Sequence, residues 1–238
     1  MDLSGVSDAV ARARDEVARV HRHPANRRGW PVTAAEASVR AARASAALDG
    51  GSTALPPDGS VDDPVLAGAL RVAQALGGLL GTWRRAPLQA LARLHVLAAA
   101  DLSPDPQLGR PRSSPEITAR LDALAQLLVG GSQVAAPVLV AVVHGELLAL
   151  APFAQSNGVV ARAAARLTVL ASGLDPKGLV VPEVDHLRRE REYRAAAAGF
   201  ATGGAEAVGT WIVHCCTALV AGTREATSIA DTVTQGSQ

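Results

Sequence analysis

Residues 144–167 read HGELLALAPFAQSNGVVARAAARL, from His144 to Leu167, and their order decides the fold. The stretch up to Leu150 is apolar at helical spacing, Pro152 ends a helix, and the helical pattern resumes after the turn-forming residues 155–158. A helix, a short glycine-containing turn and a second helix starting near Asn157 would aim that helix's free N–H groups into the turn. The positive end of its dipole points the same way, and such a turn can hold a phosphate. The plainer duties of the same residues are structural. Asn157 is a good N-cap with or without a ligand, and Pro152 and Phe153 suit the end of a helix and the floor of a loop.

Outward from this pair, helical spacing is predicted at 2–21, 33–49, 65–80, 87–102, 115–129, 132–150, 158–172, 184–198 and 203–221. For the second of these, Thr33 and Glu36 suggest a capping box, and Gly50 with Gly51 a stop. The polar stretch HRHPANRRGWP at 21–31 and the turn-rich 50–64 read as loops. Residues 103–115, with four prolines, also read as a loop, with a short β-hairpin expected near 103–114. Aromatic, alternating strand segments are absent, so the expectation is one all-α domain, and 238 residues suffice for a single core.

The net charge of +1 is spread along the chain, which excludes a field strong enough to recruit nucleic acid or an anionic membrane. Lys177 is the only lysine, and the Ala- and Arg-rich composition is that of a GC-rich bacterial genome. No leader pattern opens the sequence, and the apolar runs at 134–150 and 207–222 fall short of the roughly 20 residues a bilayer needs. A cytoplasmic location is the expectation. Adjacent Cys215 and Cys216 cannot form an ordinary mutual disulfide and read as core residues.

Three tempting signals fail on geometry. The His21–Arg22–His23 triplet lacks Cys, Asp or Glu neighbours to complete a metal site. His214, Cys215 and Cys216 point about 100° apart on a helix and cannot share an ion. The Gly-rich GGLLG lacks P-loop and dinucleotide spacing.

The stretch from Ala151 to Arg162 resembles the motif of the Fic family of nucleotidyl transferases, HPFxxGNGRxxR. Pro152, Phe153, Asn157, Gly158 and Arg162 match, whereas Ala151, Ser156 and Val159 replace the motif's His, Gly and first Arg. His144 stands where many members carry a histidine, and Gly109, Arg110 and Arg112 are similar to a GxxR stretch upstream of the motif. Ser45, Asp49 and Gly50 fill a pattern similar to the family's inhibitory motif, (S/T)xxxE(G/N). The resemblance implies a Fic-like bundle over 34–225 with an inhibitory-type helix at 34–49, an extension at 1–33 and a tail at 226–238.

In active members the loop holds ATP phosphates, an acidic loop residue binds magnesium, and the motif histidine is the base. Here Ala151 cannot titrate, which removes a contribution of about 10²- to 10⁴-fold. Gln155 stands at the acidic position with only a neutral oxygen, and Val159 cannot pair with phosphate. His144 lies about 10 Å back along its helix and reads as a core histidine.

What stays as a candidate phosphate loop is Phe153, Gln155, Ser156, Asn157, Gly158 and Arg162. Arg162 reads as a phosphate ligand, a partner of Asp49 or a solvated helix residue. Asp49, one methylene shorter than the usual Glu, is expected to reach it less well. The resemblance thus implies a degenerate Fic-like protein, without AMP transfer, acting as a binding or regulatory module. Two alternatives are a transferase with an altered donor and a nucleotide sensor without turnover. ATP and magnesium are expected only with residual family activity. The partner would be another protein, with a second copy of the chain and a nucleotide as further candidates.

Overall fold

The computed structural model describes residues 3–131 and 133–235. The expected helix starts at Asp2 and Ser132 and residues 236–238 of the expected tail lie outside them. The helices are α1 Val6–Arg22, α2 Pro24–Arg28, α3 Trp30–Leu48, α4 Pro64–Arg85, α5 Pro87–Ala99, α6 Pro115–Val129, α7 Ala136–Leu150, α8 Asn157–Ala171, α9 Pro182–Arg188, α10 Glu190–Ala201 and α11 Ala205–Gln235. No strand occurs among the described residues. The fold is all-α.

α7 and α8 pair at the centre, between two cores. One lies toward α4, α5 and α6, with Leu66, Leu94, Leu147 and Leu167 buried together. The other lies toward α1, α10 and α11, with Val17, Tyr193, Trp211 and Leu219. Burial from both sides is why α7, APVLVAVVHGELLAL, is apolar around its whole circumference rather than along one stripe. The Trp211 indole crosses from α11 and donates to the Ala141 carbonyl at 2.7 Å.

Several expectations need correction. Residues 103–114 form no hairpin: Asp105–Gln107 is a 3₁₀ turn, because Pro104, Pro106 and Pro111 have no N–H for a ladder. Part of the expected loop at 21–31 is α2, started by Pro24. α3 therefore begins at Trp30 rather than at a Thr33 cap, and the Thr33 hydroxyl donates to Asn26 Oδ1 at 2.8 Å. The helix expected at 184–198 is broken at Arg189 (φ −114°, ψ 42°) into α9 and α10. The expected tail continues α11 as far as Gln235, because Ala226, Ile229 and Ala230 recur at helical spacing and are buried.

By length and composition α4 and α11 are each long and apolar enough to cross a bilayer, which the separate apolar runs were not. Over half (56%) of the apolar window of α11, and 28% of that of α4, is buried inside the protein.

Candidate functional site

The end of α3 and the start of α8 build the site together. α3 stops in a Schellman turn: Gly51 N–H donates to the Ala46 carbonyl at 2.9 Å, Gly50 N–H to Ala47 at 3.0 Å, and Gly50 takes the left-handed φ of +83°. This leaves Asp49 as the C-cap, where its charge opposes the α3 dipole. The carboxylate is stabilised elsewhere.

It lies on the first turn of α8. Asp49 Oδ2 accepts the Val159 N–H at 3.0 Å, and Oδ1 accepts from Arg162 Nη2 at 2.8 Å. A Cβ placed on Gly158 would fall 2.2 Å from Oδ1 and 2.7 Å from Oδ2. The carboxylate thus occupies the space above Gly158 where the exposed amides and dipole of α8 favour an anion.

Arg162 is 3% exposed. Besides Asp49, its Nε donates to Ser45 Oγ at 2.8 Å, its Nη2 to the Ser45 carbonyl at 2.8 Å, and its Nη1 to the Tyr193 hydroxyl at 3.4 Å. Burial opposes the charge, but Tyr193 and Asp49 outweigh it and hold the guanidinium above its ordinary range. Asp49 therefore reaches Arg162, against the expectation from its shorter side chain. Of the inhibitory-type motif, Ser45 and Asp49 both bind Arg162, and Gly50 makes the turn.

The loop between α7 and α8 is braced from within. Asn157 is not the cap but the first residue of α8. Its Oδ1 accepts the Phe153 N–H and its Nδ2 donates to the Phe153 carbonyl, both at 2.8 Å. Phe153 is buried and stacks on His95, with centroids 4.1 Å apart and rings at 4°. His95 Nδ1 accepts the Gly109 N–H at 2.9 Å, which places the proton of the neutral ring on Nε2. Burial lowers its pKa, the Gln155 carbonyl acting the other way.

Ala151 (φ 41°) and Ser156 (φ 57°) flank the loop in the left-handed region, a strain of about 1 kcal/mol or more each for residues with a Cβ. The Arg112 guanidinium donates to the carbonyls of Leu150 and Ala151 at 3.2 and 2.7 Å, capping α7. Arg110 and the Gln155 side chain are exposed. Val159 is 3% exposed and packs in the apolar core with Ala42, Ala69 and Val72.

No residue at 151 or within its turn is a base. His144 Nε2 meets the Tyr193 hydroxyl at 3.0 Å inside the core. Burial, Arg162 and His214 push its pKa well below the usual imidazole range, so it stays neutral. His21 and His23 turn to Asp175 (2.9 Å) and Asp231 (3.3 Å) rather than to one ion. Among the described residues no group of three His, Cys, Asp or Glu side chains is arranged to hold a metal.

Three contributors escaped the sequence reading: Tyr193, Arg194 and His95. Each acts across a long separation. The Arg194 guanidinium donates to the Leu48 carbonyl at 2.5 Å. A usable signal existed for Tyr193, the one tyrosine in the chain, flanked by the charged residues Glu190, Arg191, Glu192 and Arg194.

No family model and no curated protein matches the chain. Solved structures do. A Fic family protein from Desulfovibrio desulfuricans G20 superposes with a TM-score of 0.67 at 20% identity, over 96% of this chain and 75% of that one. A fragment of Fic-1 from C. elegans gives a TM-score of 0.72 at 18% identity, over 94% and 71%. At such identities the likeness establishes the fold: the chain has the Fic-type helical architecture.

Proposed function

We propose that this chain is a degenerate Fic-like protein which does not transfer AMP and serves as a binding or regulatory module for another protein. The observation that carries the reading is the Asp49 carboxylate seated on Gly158, bonded to Val159 N–H and Arg162. The residues present do not fit ATP and magnesium. A phosphate oxygen and the carboxylate cannot share the space over Gly158, and two anions there would repel. Gln155 adds no negative ligand for a cation. Ala151 takes no proton from a target hydroxyl, and its side chain is a single methyl on a strained residue.

What the arrangement supports is a held scaffold: α3, α8 and α10 are tied to one another through Arg162, in the way a recognition surface is fixed. Incubation of the full chain with labelled ATP, magnesium and a bacterial extract is expected to leave every protein unlabelled. A labelled band that appears only when the chain is added would overturn the proposal.

A second reading, a nucleotide sensor without turnover, draws on one feature. The Asp49 side chain is 22% exposed and sits before Gly50 and Gly51, so the anion in the cradle is attached to a turn rather than to a rigid segment. In that reading a phosphate displaces Asp49 and shifts α3. Titration calorimetry with ATP separates the two: heat without product favours the sensor.

A further inference from the structure

α10 has only Tyr193 fully buried and is set apart from α9 by the break at Arg189. Two consecutive residues of this helix reach the Asp49 site by different routes. Tyr193 works from below. Its oxygen accepts from Arg162 Nη1 at 3.4 Å, which leaves its O–H to donate to His144 Nε2 at 3.0 Å. It thus bounds the guanidinium on the side away from Asp49, while Ser45 and Asp49 bound the other edges.

Arg194 works from above. Its Nη2 donates to the Leu48 carbonyl at 2.5 Å, and Glu190 holds its Nε at 2.8 Å. Leu48 is the last residue of α3, so its carbonyl has no partner within the helix. It also belongs to the peptide unit that leads into Asp49. Fixing this carbonyl fixes the direction in which the Asp49 side chain leaves the chain.

We infer that Tyr193 and Arg194 are positioning residues that keep Asp49 in the cradle of α8, so that α10 sets how firmly the site is closed. This deepens the proposed reading, and rests on it, by naming what regulates that site. One side chain fixes the cation that Asp49 pairs with, and the other fixes the backbone that carries Asp49. Both lie on α10, whose other contacts with the second core are made by the partly buried Ala196, Ala197 and Phe200.

Arg194 is the cleaner probe, because its side chain is 59% exposed and its loss opens no hole. The test is amide hydrogen exchange by NMR on the full-length chain. The Val159 N–H reports whether Asp49 is in place, and the Leu219 N–H, deep in α11, reports global stability. Asp49→Ala should speed exchange at Val159 strongly. Arg194→Ala and Tyr193→Phe should each speed it about tenfold, as loss of one hydrogen bond to or from a charged group would. Leu219 should not change in Arg194→Ala, and Arg194→Lys, which keeps a donor for Leu48, should restore most of the protection at Val159.

The outcomes separate cleanly. If Asp49→Ala leaves Val159 unaffected, the reading of the cradle fails. If Asp49→Ala acts but Arg194→Ala does not, or if Arg194→Ala speeds Val159 and Leu219 alike, the positioning role of α10 fails while the cradle stands.

Discussion

Gly158→Ala is a substitution whose sign separates the account from its alternative. Gly158 sits in the first turn of α8 with ordinary helical backbone. On helix propensity alone, alanine there should stabilise the protein by about 0.5–1 kcal/mol. The added Cβ, however, would lie 2.2 Å from Asp49 Oδ1 and 2.7 Å from Oδ2, so the carboxylate must leave. Its departure removes the acceptor for Val159 N–H and the counter-charge of Arg162, which is 3% exposed.

Breaking a buried pair by losing one partner costs about 3–5 kcal/mol. Arg162 keeps its two bonds to Ser45, and Asp49 regains water, so a net loss of about 2–3 kcal/mol is expected after the propensity gain. For a chain of this size that is a fall in midpoint of about 5–10 °C, readable by circular dichroism. In an Asp49→Ala background the same alanine should be neutral or stabilising, because nothing remains to clash. A Gly158→Ala protein as stable as wild type, or more so, would refute the placement of Asp49.

Other consequences follow from the same contacts. Val159→Arg, which restores the residue of the Fic motif, should destabilise by about 3 kcal/mol in urea unfolding, since it puts a charge among Ala42, Ala69 and Val72. Acid should act through His144, His186 and His214, whose folded pKa values burial pushes below the ordinary 6.5. The unfolded state then binds more protons below pH 6.5, so stability is full above that pH and falls beneath it, by up to about 4 kcal/mol per pH unit for three such groups. A urea midpoint unchanged between pH 7.5 and 5.5 would contradict this. His95→Ala should cost about 2 kcal/mol in thermal melts, because it removes both the Phe153 stack and the acceptor of Gly109 N–H.

Much of the fold was legible because its punctuation is local. Pro115 and Gly130 bracket α6 so tightly that the predicted and observed ends coincide, and Gly50 with Gly51 stops α3 by a defined turn. The helix, turn and helix of α7 and α8 were legible for the same reason. What stayed hidden depends on contacts between distant residues. The break at Arg189, where Asp185 and Glu192 both hold the guanidinium, carries no Pro or Gly to announce it. The continuation of α11 past 221 rests on Ala226, Ile229 and Ala230, at helical spacing, meeting α3 and Val181, which bury Ile229. Asp49 reaches Arg162 because α3 packs against α8, which the length of the side chain alone does not reveal. The β-hairpin expected near 103–114 had the prolines of residues 103–115 against it already in the sequence.

The central claim is that the chain fills its own phosphate cradle. Titration calorimetry of ATP into the wild-type protein and into Asp49→Ala tests it most directly. The account predicts no measurable heat with wild type and saturable binding in Asp49→Ala through the freed Val159 amide and Arg162. ATP binding as tightly to wild type as to the variant would contradict it.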